Sequence, residues 1–248
     1  MSQKPYDVTF TPEDQKRTHR LARVVAPPLR TAYRVFGRWV DENPHNIPQD
    51  GPAILAVYHA SLLDPVFVAL SLWSHGRMPR FMAKSPLFTG IIGRPMRALG
   101  QIPVLRNSAT ASDSLKYARK ALDAGECVVI YPQGTLTKNP ELWPENFKTG
   151  VARLALESGV PIVPVAHWGT SALMPPGAKK PALKPGNIVR ISYGEPIDIA
   201  GIEPTRENLR TITNHVEAVI ARDVARLSGK PLPERYTHAL EPVSYTHL

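Results

Sequence analysis

His59 and Asp64 stand five residues apart in the run His59-Ala60-Ser61-Leu62-Leu63-Asp64, directly after the apolar stretch Ala53-Ile54-Leu55-Ala56-Val57-Tyr58. Imidazole is the side chain best matched to taking a proton near neutral pH, and it needs a neighbour that fixes its tautomer and stabilises its charged form. A carboxylate across one turn supplies that neighbour. The same spacing recurs at His45 and Asp50, but that pair lies in a polar, proline-broken connector. His59 and Asp64 instead bridge a buried strand and a helix start, a location that holds side chains rigidly. The arrangement resembles the base-and-orienter half of a hydrolase triad, yet no Gly-x-Ser-x-Gly nucleophile elbow accompanies it. The chemistry left to such a pair is activation of a substrate hydroxyl that attacks directly. Asp64 before Pro65 also suits a helix N-cap, and Ser61 competes for that position; capping and orienting are compatible.

Three further segments carry possible chemistry. In Tyr131-Pro132-Gln133-Gly134-Thr135, followed by Leu136, Thr137 and Lys138, a strand runs into a tight turn whose N–H groups and hydroxyl suit a phosphate or an oxyanion; a plain Pro-Gly turn reads the same. Gly100-Gln101-Ile102-Pro103-Val104-Leu105-Arg106 delivers one arginine to a strand end, where its planar donor fork suits phosphate, or merely solvent. Val160-Pro161-Ile162-Val163-Pro164-Val165 is an apolar strand that reads as wall rather than catalyst.

These segments need a frame, and the pattern predicts one. Thr11-Pro12-Glu13-Asp14 is a helix start. Pro27-Pro28 interrupts, and a second helix is expected from there to about Glu42, with Leu29, Tyr33, Phe36 and Val40 on one face and Arg30, Arg34 and Arg38 on another. Such a basic amphipathic helix lies in a lipid interface or packs on the domain; periodicity is the same for both. From Pro52 onward strands and helices alternate with short links, to a last helix over 204–228. That argues for an α/β fold with a central, mostly parallel sheet flanked by helices, preceded by an N-terminal amphipathic helical extension. The expected division is a membrane-associating helical extension over 1–44, a domain over 45–228 and a loosely ordered tail over 229–248.

Of the 248 residues, 43% are hydrophobic, enough for an ordinary core, while no apolar run approaches the roughly 18 to 20 residues that span a bilayer. The first ten residues have no signal-peptide character, so a cytoplasmic location is expected. The single cysteine, Cys127, excludes a disulfide or a cysteine-based zinc site within one chain. A net charge of +9 calls for an anionic partner: nucleic acid, anionic lipid or a phosphate-rich cosubstrate. Nucleic acid fits poorly, because no recognised binding motif accompanies the charge.

Taken in order, the four segments resemble the four blocks of the glycerolipid acyltransferase family that includes bacterial 1-acylglycerol-3-phosphate acyltransferases. The resemblance covers about residues 50 to 200, and Tyr131–Leu136, Lys148–Leu156 and Pro164–Gly169 look closest to actinobacterial members. It implies an enzyme of phospholipid biosynthesis with His59 as general base and Asp64 as its orienter. Arg106, Gln133, Gly134, Thr135 and Lys138 would bind the acceptor, and the strand of Pro161 and Pro164 would line the acyl region. The implied donor is acyl-coenzyme A or acyl carrier protein, with no metal and no other cofactor, and the implied partner is the inner face of the cell membrane, met peripherally. Two positions depart from the family: Gln133 where Glu is usual, and Leu136 where Arg is usual. The first keeps shape and loses charge; the second removes a phosphate donor. They open two alternatives, an acceptor with a larger headgroup such as a phosphoinositide glycolipid, and a catalytically impaired lipid-binding protein.

Overall fold

A computed structural model describes residues 9–36, 38–104, 111–182 and 186–240. In chain order the elements begin with α1 (Pro12–Phe36), β1 (Arg38–Glu42), β2 (Ala53–Val57), α2 (Asp64–Ser74) and β3 (Pro79–Lys84). A 3-10 turn (Ser85–Phe88) leads to α3 (Gly90–Ala98), β4 (Ile102–Val104), α4 (Ala111–Asp123) and β5 (Cys127–Ile130). Then come α5 (Gly150–Ser158), β6 (Ile162–Trp168), the short α6 (Thr170–Leu173), β7 (Ile188–Tyr193) and α7 (Arg206–Ser228).

The sheet order is β1-β7-β6-β2-β5-β3-β4. Strands β6, β2, β5, β3 and β4 run parallel; β7 is antiparallel to β6, and β1 pairs in parallel with β7. All five residues of β2 are buried, as a strand covered on both faces requires. Alternation splits them: Ile54 and Ala56 join the core under α4, α5 and α7, while Ala53, Leu55 and Val57 join the core under α2. At about 1.5–3 kcal/mol for each fully buried large aliphatic side chain, this central strand anchors both layers.

The expected α/β architecture is present, with two local differences. Arg38–Glu42 is an edge strand rather than the end of a helix, its backbone paired residue for residue with Ile188–Ser192. And α1 continues through Pro27 and Pro28. Each proline removes one helical N–H, but the turn that loses them, around Arg23 and Val24, is exposed, so water can serve the freed carbonyls. The tail also differs: past Gly229, 3-10 turns at Glu234–Tyr236 and His238–Leu240 place Tyr236 at 4% exposure against Trp143, and Ala239 O accepts from His215. No helix among the described residues is long and apolar enough to cross a membrane.

Candidate active site

Because β2 and β5 are parallel neighbours, the loops that follow them emerge side by side at one edge of the sheet. The first carries His59 and the second begins at Tyr131. Hydrogen bonds lock the two together at His59 itself: its N–H donates to Gln133 Oε1 (2.8 Å) and its carbonyl accepts from Thr137 N–H (2.7 Å). The backbone of the candidate base is thus held from both sides, and Tyr131 walls the ring at a centroid distance of 4.5 Å.

His59 Nδ1 lies 2.9 Å from Asp64 Oδ2. A carboxylate accepts, so Nδ1 carries the proton and, in the neutral ring, Nε2 keeps a free lone pair. The ring retains 16% exposure, whereas Asp64 has none. Asp64 is the first residue of α2 rather than its N-cap, which is Leu63. Its carboxylate turns back to accept the N–H groups of Ala60 (2.7 Å) and Ser61 (2.8 Å), so the five-residue spacing closes the loop on itself. Burial would push this carboxyl up; the imidazoles of His167 and His59 outweigh that and hold it below the ordinary carboxylate value.

His167, on β6, belongs to this cluster and was not singled out by sequence. It is 1% exposed, its ring stacks on Tyr58 at 4.4 Å, and Tyr58 Oη donates to its carbonyl (2.9 Å). Nε2 lies 2.9 Å from Tyr58 O and 3.5 Å from Asp64 Oδ2. Both are acceptors, so Nε2 must carry a proton whatever the ring's charge. The signal in the sequence was a polar residue closing the apolar run Pro161–Ala166.

The other expected residues separate. Gln133 is buried and braces His59 as described. Gly134 has φ of +70°, and a Cβ there would stand 3.3 Å from Lys148 Nζ, so an exposed lysine that the motif did not highlight lies across the turn. Thr135 is exposed. Lys138 is also exposed, its N–H donating to Glu145 Oε1 (3.0 Å). Leu136 is half-buried. Arg106 lies outside the described residues. Pro161 immediately precedes β6, and Pro164 lies within it, opposite Ala56 of β2.

Fold and site together define an α/β protein whose imidazole–carboxylate pair sits at the strand-end edge of a mostly parallel sheet. A family model described as Acyltransferase matches residues 38–168, β1 to the end of β6, and the chain belongs to that family. It is 32% identical over 196 residues to the chloroplastic 1-acyl-sn-glycerol-3-phosphate acyltransferase LPAT1 of Arabidopsis thaliana, covering 78% of this chain and 52% of the plant protein. The chain therefore spans about half the length of that relative. To the 1-acyl-sn-glycerol-3-phosphate acyltransferase of Bacillus subtilis it is 29% identical over 174 residues, covering 69% of this chain and 80% of the other. The crystal structure of the 1-acyl-sn-glycerophosphate (LPA) acyltransferase PlsC from Thermotoga maritima superposes with a TM-score of 0.69 at 26% identity, covering 89% of this chain and 85% of that one.

Proposed function

We propose that the protein transfers a fatty acyl group from a thioester, acyl-coenzyme A or acyl-acyl carrier protein, to the free hydroxyl of lysophosphatidic acid or a related lysophospholipid. The observation that carries this is the 2.9 Å bond that fixes His59 with Nδ1 protonated. His59 Nε2 takes the acceptor's hydroxyl proton as its oxygen attacks the thioester carbonyl. The C–O bond forms, the C–S bond breaks, and the imidazolium returns the proton to the departing thiolate. Asp64, kept ionised, steadies the imidazolium. No further cofactor enters this scheme.

What supports a phosphate-bearing acceptor is the turn at Gly134 and Thr135 with Lys148 across it, a cation that compensates for the apolar Leu136. Lys138 and Arg106 are the remaining proposed anchors. The enzyme would work peripherally on the cytoplasmic face of the membrane. The alternative of an impaired lipid-binding protein rests on Gln133 and Leu136; against it, a neutral amide is what accepts the N–H of His59, so loss of charge at 133 does not by itself disable the pair.

Positioned general-base catalysis contributes about 10² to 10⁴ in rate. His59→Ala is therefore expected to lower transfer by at least about 10², measured as thiol release and product mass over a panel of lysolipids, with the fold retained by circular dichroism. Near wild-type transfer in the variant, or lipid binding without thiol release by the wild type across the panel, refutes the proposal.

A further inference from the structure

Among the described residues, five of the large apolar side chains left exposed share a location, while Val24, Val25 and Leu29 stand on α1 and Val40 on β1. Ile91 is 94% exposed and Ile92 59%, and Leu62, Leu87 and Ile188 are exposed as well. Scattered exposed aliphatics are ordinary, but these follow the sheet's topology. Leu62 comes after β2, and Leu87, Ile91 and Ile92 come after β3. Ile188 opens β7, which is antiparallel to β6 and so begins at the edge where β6, β2 and β3 end. That is the edge of His59. With neighbouring strands ~4.8 Å apart and only β5 between them, β2 and β3 end about 10 Å from one another.

The turn that presents Leu87, Ile91 and Ile92 has fixed geometry. Phe88 is 5% exposed and anchors it. Gly93 packs so closely that a Cβ would stand 2.3 Å from Phe88 O, and its N–H donates to Thr89 O (3.1 Å). Thr89 Oγ1 donates to Pro86 O (2.8 Å), and Arg97 Nη1 to Phe88 O. The two isoleucines are thus held outward in the first turn of α3, with exposed Lys84 before them and exposed Arg94 after. An aliphatic point with an exposed cation on either side in the chain, on a protein of net charge +9, matches an anionic bilayer in charge and in its need for no complementary groove.

We propose that residues 87–92 form a membrane-inserting tip: Leu87, Ile91 and Ile92 enter the acyl boundary of an anionic lipid surface, and the sheet edge carrying His59 faces the bilayer. The inference deepens the acyl-transfer reading, which makes a lipid surface the relevant partner, but stands on exposure and topology.

Cys127 is the only cysteine, 1% exposed, its thiol pushed up to about 11 by burial, so a cysteine introduced elsewhere takes a fluorophore alone. An environment-sensitive label at Ile91→Cys is expected to shift to the blue on vesicles of phosphatidylcholine with phosphatidylglycerol. The control is Asp50→Cys, exposed in the connector that enters β2 at the opposite edge of the sheet; its label should not shift. Ile91→Asp with Ile92→Asp is expected to weaken vesicle partitioning by about tenfold or more, while transfer to a short-chain, water-soluble acceptor continues at the wild-type rate. No shift at 91, equal shifts at 91 and 50, undiminished partitioning of the double variant, or a vesicle-independent shift that grows with protein concentration each overturns the tip. Wild-type failure to acylate the soluble acceptor would sink the acyl-transfer reading and leave the vesicle result standing.

Discussion

A carboxylate without solvent contact persists as an anion only where its donors outweigh the hydration it has lost. For Asp64 those donors are the N–H groups of Ala60 and Ser61 and His59 Nδ1, and the His167 imidazole, whose Nε2 bonds Tyr58 O, adds an electrostatic contact at 3.5 Å. His167 thus acts through Asp64 and is a positioning residue for His59. His167→Leu takes the donor from the Tyr58 carbonyl and the electrostatic contact from Asp64; leaving buried polar groups unserved costs about 1–3 kcal/mol, so the variant is expected to lower kcat by roughly five- to hundredfold with KM unchanged. The pH dependence separates this from a structural lesion. With the folded Asp64 carboxyl held below its unfolded value, its stabilising contribution is present above the unfolded value and fades as pH falls through the folded one. His167→Leu raises the folded value, so acid destabilisation, followed by urea melts across the acidic range, sets in at higher pH than in the wild type. His167→Gln keeps an N–H near the position of Nε2 and restores both kcat and the acid limit; coincident profiles for all three proteins would show that His167 merely fills space. His59 and Asp64 were legible because their pairing is local. His167 was not, since strand pairing between β2 and β6 brings it to Tyr58 across 109 positions.

Elements divide along the same line. The helices after β2 and β5 and the strands that precede them follow from apolar periodicity, which is a local property. Arg38–Glu42 reads as helix by that criterion because Val40 continues the spacing of Leu29, Tyr33 and Phe36. It is a strand because Ile188–Ser192, far along the chain, offers an unpaired backbone edge. An edge strand with three charged residues carries almost no pattern of its own. The opposite case is the turn into α3, where one glycine decides the geometry. Gly93→Ala brings a methyl to 2.3 Å from a backbone oxygen that cannot swing aside. The expected loss is about 1–3 kcal/mol of stability, read from urea unfolding, together with a lowered melting cooperativity around the 85–93 segment in hydrogen exchange. Gly90→Ala, where nothing lies within 4 Å but φ is +63°, should cost less.

At the scale of the whole molecule, the question is what fastens α1 to the domain. The fastening lies at the edge of the sheet away from His59, where Arg80 on β3 is 1% exposed and donates to Glu126 Oε1 (2.7 Å), Thr18 Oγ1 on α1 (3.0 Å) and Leu99 O after α3 (2.8 Å). One guanidinium therefore joins α1, β3, the residue before β5 and the end of α3. Gln15 adds a second bond from α1, to Ala124 O (2.9 Å), and the Phe10 ring lies 5.8 Å from the Arg80 guanidinium carbon. Breaking a buried ion pair by deleting one partner costs about 3–5 kcal/mol, mostly because the other charge is left alone, whereas replacing both is far milder. Arg80→Met should accordingly destabilise the protein by about 3–5 kcal/mol and release α1 to limited proteolysis. Glu126→Gln added to it should recover part of the stability, since the stranded carboxylate is gone, but not the protection of α1, since Thr18 and Leu99 still lack their donor. Urea melts and protease digestion of the single and double variants separate these outcomes: equal recovery of both quantities would mean that apolar packing, and not this guanidinium, holds the helix that climbs from here toward the edge carrying His59.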